Sequence, residues 1–299
     1  MDERRVTPQI RSFFWGVGTA FSGLAGLVLF LFPDKSEELF AWTIARGDTA
    51  AFIGACFLAI ALVSLLCYSV PTWGGVRYCF AGTLAFVTAM SLATLLHLDQ
   101  FHFGSDEPVA LAAAWGWTLV YLAAPVASGV LLSRQLQSSG PRGSDPDGSD
   151  EGGFVSAGPP ATPIVPGLRK LYLAQGALLV IVAVVLFLAP GSADTLWPWP
   201  LTPLTARAIA SLLLGIGVML LGAGWDDTAE RLEPTCAASW WLAVLAGMAV
   251  ARYDGSVDVG TVPGLVFAVV AISMLFGGVA GEMAARRLRP TRPPADSGP

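Results

Sequence analysis

Val28-Leu29-Phe30-Leu31-Phe32-Pro33 is an apolar run closed by a proline, and Val185-Leu186-Phe187-Leu188-Ala189-Pro190 repeats it 157 positions later. Each copy leads through an acidic turn to a tryptophan, Trp42 and Trp199, also 157 apart. Leu39 with Leu196, and Glu37 with Asp194, keep the same interval. Thr49-Ala50 matches Thr205-Ala206 at a spacing of 156, His97-Leu98-Asp99 aligns with Arg252-Tyr253-Asp254, and Gly104 aligns with Gly260. Matched Pro, Trp, Asp and Gly at a nearly constant offset point to tandem duplication. Each copy spans the end of one apolar segment, a short connection and the start of the next.

The surrounding composition sets the class. Apolar residues make up 54% of the chain and charged residues 13%, against roughly a quarter charged in soluble domains. The charges cluster in termini and connections, which is the pattern of a polytopic membrane protein. Only Lys35 and Lys170 are Lys among the 17 basic residues, a bias expected of a GC-rich bacterial source. The net charge of −5 comes largely from an acidic central stretch, so no nucleic-acid partner is implied. Met1–Arg11 mixes Asp2 and Glu3 with Arg, and the apolar run behind it is too long for a signal peptide; the first segment is expected to stay in the membrane.

Eight apolar segments follow: Ser12–Phe32, Thr49–Val70, Tyr78–Leu96, Pro108–Ser133, Leu171–Ala189, Ala208–Gly224, Thr235–Val250 and Val262–Gly281. Most approach the ~20 residues that a helix needs to cross the hydrocarbon, and they lack the alternation of barrel strands. The expected fold is therefore an all-α integral membrane protein. Its eight transmembrane helices form two tandem four-helix bundles, residues 1–134 and 167–282, as a parallel internal repeat. Thirteen of the 17 Lys and Arg fall on one side; Lys35, Arg46, Arg207 and Arg252 fall on the other. The positive-inside rule places both termini in the cytoplasm of a cell (plasma) membrane. Residues 135–166, rich in Gly, Ser, Pro and Asp, read as a disordered acidic linker, and residues 283–299 as a disordered Arg/Pro tail. Gly18, Ser22 and Gly26, then Ala81, Ala85, Ala89 and Ala93, and Gly277 with Gly281, recur at intervals that let helices approach closely.

Within the eight segments no Asp, Glu, Lys, Arg or His occurs, which argues against a proton-coupled carrier and leaves no acid/base pair for an enzyme. The four Cys form no CxxC pattern and read as buried small hydrophobes. Polar chemistry gathers on the outer face. The connections Pro33–Asp48 and Pro190–Thr205 read as interfacial, with Trp42, Trp197 and Trp199 as outer headgroup-belt anchors and Trp15, Trp73 and Trp225 as inner ones. Thr205 is the expected cap of the sixth helix. Arg46 and Arg207 stand near helix starts against the charge rule, as lipid-phosphate anchors, as an anion or headgroup site at a helix N-terminus, or as internal partners of Asp99 or Asp254. His97, Asp99 and His102 carry N/O donors for zinc, but the second copy lacks both histidines, so a solvated loop is the favoured reading and no metal or cofactor is expected.

Pro33–Ala55 and Pro190–Gly217 share a form: an apolar segment ending in Pro, an interfacial connection, then an Arg entering a small-residue helix. Leu204-Thr205-Ala206-Arg207-Ala208-Ile209-Ala210 with Leu214-Gly215-Ile216-Gly217 carries it best. This resembles the four-helix bacterial membrane proteins grouped as DoxX-like, once per half, and the resemblance implies fold rather than activity. The expected function is a non-enzymatic binding or transfer module. It would take a lipid headgroup or small amphiphile at the outer face, using Arg46, Arg207, Asp99, Asp254, Trp42 and Trp199. A scaffold for other membrane proteins is the alternative. Membrane lipid is the expected partner, with other membrane proteins second.

Overall fold

The computed structural model describes residues 4–137 and 162–288. Its long helices are α1 (Pro8–Leu31), α2 (Gly47–Ser69), α3 (Trp73–Leu96), α4 (Pro108–Gln137), α5 (Pro166–Leu188), α6 (Pro203–Asp226), α7 (Glu233–Val250) and α8 (Val262–Arg287). Seven of these are long and apolar enough to cross a membrane. The exception is α7, whose 18 residues open on Glu233, Pro234 and Thr235. Among the described residues the only extended pairings are two isolated bridges, Arg5 with Thr72 and Trp42 with Phe101.

Prolines punctuate these helices. Pro8, Pro166, Pro203, Pro234 and Pro263 lie in first turns, where the missing N–H costs nothing. The cap of α6 is Thr202, whose hydroxyl accepts from the Thr205 amide at 3.3 Å. The expected cap, Thr205, lies two residues past Pro203 inside the helix, because the proline at N1 sets the boundary. Several helices outrun their apolar segments and carry Arg77, Arg207, Asp226 and Glu282. Hydropathy stops at the first charge, whereas backbone hydrogen bonding continues past it. In α1, residues Phe14–Phe21 are wound as a π-helix. There Thr19 donates to the Phe14 carbonyl and Ser22 to that of Val17, each five residues back, and these hydroxyls support the wider turn.

The expected linker is shorter than 135–166. Gln135 is buried; it accepts from the Thr7 amide and donates to the Arg5 carbonyl, both at 3.0 Å, extending α4. At the other end the Ile164 amide donates to Asp227 at 3.0 Å and that of Thr162 to Glu230 at 2.9 Å. These side-chain contacts are long-range and invisible to composition. Residues 138–161 of that linker, and residues 289–299 of the expected tail, lie outside the described residues.

The chief packing contacts are α1 with α2, α3 with α4, α5 with α6, α7 with α8, and across the chain α2 with α7 and α3 with α6. Although α2 and α3 are joined by only a short turn, they touch little. The halves therefore do not stand as separate bundles. One continuous apolar core runs through α1–α8, with α2, α3, α6 and α7 in the middle. A glycine fixes the central crossing: a Cβ on Gly82 of α3 would lie 2.5 Å from the Gly215 carbonyl oxygen of α6. Gly26 and Gly54 do the same for α1 and α2, and Gly176 and Gly217 for α5 and α6. The small-residue faces containing Gly18, Ser22 and Gly26, and Gly277 with Gly281, are packing faces as the spacing predicts.

Candidate functional site

The end of the bundle holding the 33–46 and 189–202 connections carries all six candidate residues, and the structure sorts them into separate places. Arg46 Nε donates to Asp48 Oδ1 at 3.0 Å. The Asp48 carboxylate, buried at the start of α2, also accepts from Ser256 Oγ at 2.9 Å, from the Thr49 amide at 2.6 Å and from Thr49 Oγ1 at 3.2 Å. Trp199 Nε1 donates to Thr49 Oγ1 at 2.9 Å, so Arg46 and Trp199 belong to one network. Its centre, Asp48, escapes the sequence reading because it falls one residue before the second apolar segment. A carboxylate in the first turn of a helix is favoured by the dipole and by free amides.

Arg207 lies in a second network. Its Nη1 is 2.7 Å from His97 Nε2, and its Nε donates to the Phe187 carbonyl at 3.1 Å. Both arginines thus spend their donors inside the protein, and on neither Asp99 nor Asp254. Arg252 likewise donates to the Phe30 carbonyl and lies over the Phe30 ring, 4.3 Å from its centroid.

Because arginine only donates, His97 Nε2 must be unprotonated. Burial pushes the His97 pKa below its ordinary value, the Arg207 charge lowers it further, and Asp99 opposes them. The sign follows: a histidine whose folded pKa is depressed binds fewer protons folded than unfolded, so stability falls as pH drops below about 6.5. We expect the bundle to lose thermal stability as the pH falls below about 6.5. His97→Gln, which keeps an acceptor for Arg207, should flatten that slope in melting scans. An unchanged slope would remove His97 from the account.

His102 faces elsewhere, with Nε2 3.0 Å from Thr43 Oγ1 and Nδ1 3.0 Å from the Phe40 carbonyl oxygen. The two histidines and Asp99 do not converge, and among the described residues no group of three His, Cys, Asp or Glu stands together.

The tryptophans are not outer belt anchors. Trp42 is buried, its ring 4.7 Å from Phe40, 4.9 Å from Trp117 and 5.4 Å from Phe101 between centroids. The 33–46 connection folds inward because its bridge to Phe101 and the His102 amide bond to the Ala41 carbonyl draw it over the helix ends. Trp197 and Trp199 are buried too, 5.3 Å apart and edge-on to Phe52. At the opposite end Trp15 and Trp225 are exposed and Trp73 is buried.

A cavity of about 90 Å³ lies beneath Trp197, among α5, α6, α7 and α8. Leu178, Val182, Leu242, Ala246 and Phe267 line it. At the deeper end Gln175 Nε2 donates to Ser273 Oγ at 2.6 Å, joining α5 to α8. Tyr172 Oη of α5 also donates to the Gly277 carbonyl of α8 at 3.1 Å. Trp197 Nε1 is buried and has no hydrogen-bond partner among the described residues. A buried N–H without an acceptor costs about 1–3 kcal/mol. Trp197 is among the residues lining the cavity, and predominantly apolar walls are the composition of a small-ligand site.

The fold and this site define a multi-pass α-helical membrane protein with an apolar cavity at one end. No protein-family model, curated protein or solved structure matches the chain.

Proposed function

We propose that the chain is a non-enzymatic binding or transfer module that takes a single-chain amphiphile from the outer leaflet. The carrying observation is the apolar cavity under Trp197, whose buried N–H lacks an acceptor. The apolar chain enters between α5 and α8, its end occupies the cavity, and an oxygen near the headgroup accepts from Trp197. Arg46 and Arg207 then act as structural ties around the site rather than as its ligands.

The same reading takes the chain as a duplicated, eight-span protein with both termini in the cytoplasm, each half a DoxX-like four-helix unit. Exchanging the halves maps α1 with α2 onto α5 with α6, and α2 with α7 onto α6 with α3, and all of these pairs pack. Phe30 and Phe187, 157 apart, each offer a carbonyl to an arginine. In one seam the arginine comes from α6, beside His97. In the other the α2 position is the buried Ala51, packed against Phe30, and Arg252 reaches across from the end of α7. Under this map Phe21 corresponds to Leu178 and Phe86 to Leu242, so the second half has aliphatic chains where the first has rings. That exchange of rings for smaller chains makes room for the cavity in the second half.

Filling the cavity tests the function. Ala246→Phe is expected to abolish retention of a co-purifying or added spin-labelled single-chain amphiphile, with the melting temperature kept. Leu119→Phe, on the exposed face of α4, should change neither. Equal retention by Ala246→Phe and the parent protein would sink the proposal.

A further inference from the structure

At the other end of the core, α2, α3 and α6 bring three sulfur atoms together. Cys67 lies on α2, two residues before its end; Cys79 lies on α3; Met219 lies on α6. Cys79 Sγ lies 3.7 Å from Met219 Sδ, and Cys67 lines the same space. All three line one cavity of about 60 Å³ between the halves, and all three are buried. Nothing in the outer-end site uses them.

We infer that Cys67, Cys79 and Met219 form a binding site for a soft monovalent metal ion, cuprous copper or its analogue silver. The sulfur spacing suits it: a metal about 2.3 Å from each of two sulfurs that lie 3.7 Å apart subtends an angle just above 100°. Thiolate and thioether donors select Cu(I) among the biological metals, whereas carboxylate and carbonyl oxygens suit Mg, Ca and Mn. The remaining cavity lining supplies no carboxylate or imidazole. Both cysteines bind as thiolates, so each releases its proton to solvent as the ion binds. Three donors satisfy a three-coordinate cuprous ion, while structural zinc sites take four. Gly82 also lines the cavity, and its lack of a side chain brings α3 close enough to α6 for Cys79 to reach Met219.

The test uses the full-length protein in detergent, titrated with Cu(I) against a chromophoric chelator under reducing, anaerobic conditions. We expect one equivalent of Cu(I) to be retained with release of two protons, and X-ray absorption to show sulfur neighbours only. Cys79→Ser should weaken retention by more than the ~10-fold that loss of an outer-shell partner costs. Met219→Leu, close to isosteric, should weaken it while leaving the melting temperature in place, so a folding defect cannot pass for a lost ligand. Cys56→Ser, which alters the same cavity at a thiol about three helical turns away along α2, should bind as the parent does. Absence of stoichiometric Cu(I), nitrogen or oxygen neighbours, or equal weakening by Cys56→Ser would overturn the site.

Discussion

Gly82→Val is expected to separate the two halves of the protein. Its Cβ would fall 2.5 Å from the Gly215 carbonyl oxygen and 3.1 Å from Met219 Cβ. The nearer obstacle is backbone, so no rotamer change relieves it, and α3 must move away from α6. Overpacking of a core costs about 1–3 kcal/mol and more where backbone must shift. Here we expect at least the upper end, because the displaced contact is one of the two chief contacts between the halves. The measurement is the melting temperature in detergent, with Gly116→Val as the control. Gly116 lies in α4 with open space around it, so its variant carries only the helix-propensity change. If the two variants melt together, the central crossing is not what holds the halves.

Asp48→Ala should be the most damaging change at its end of the bundle. It removes the acceptor of Ser256, of two Thr49 donors and of Arg46 in one step. Ser256 sits in the connection that follows α7, so the carboxylate ties α2 to a distant stretch of chain. Leaving buried donors unsatisfied costs about 1–3 kcal/mol. The Arg46 contribution is small, since that side chain is 43% exposed and solvent screens it. We expect a loss of about 2–3 kcal/mol by denaturant titration, with faster amide exchange in residues 253–258. Asp48→Asn should recover part of it by keeping one acceptor oxygen. Ser256→Ala should cost less than either. A neutral Asp48→Ala would mean that water replaces the carboxylate, and the network would lose its structural standing.

The two sites at opposite ends respond to different probes. Cavity filling at Ala246 should leave Cu(I) retention intact, and loss of Met219 should leave amphiphile retention intact. Each reading can therefore fail without the other.

Much of the architecture is legible along the chain. The apolar segments, their proline punctuation, and the matched Pro33 and Pro190 follow from local rules, because transfer into hydrocarbon and the loss of a backbone donor are properties of single residues. The membrane class and most helix positions therefore come from the amino-acid sequence alone. Which helices lie inside does not. In lipid both faces of a helix can be apolar, so periodicity carries no inward signal: α2 and α8 are both strongly apolar, yet 67% of the most apolar stretch of one is buried and 22% of the other's. The partners of the charges are equally hidden, since Arg207 meets His97 from 110 positions away and Asp48 meets Ser256 from 208. Trp42 and Trp197 carry the composition of interface anchors, and only the inward fold of their connections buries them. The sequence by itself determined a membrane protein of apolar helices with a repeated signature. The tertiary structure decided the shared core, the internal ties of the arginines, the cavity under Trp197 and the meeting of three sulfurs, because each depends on contacts between residues far apart along the chain.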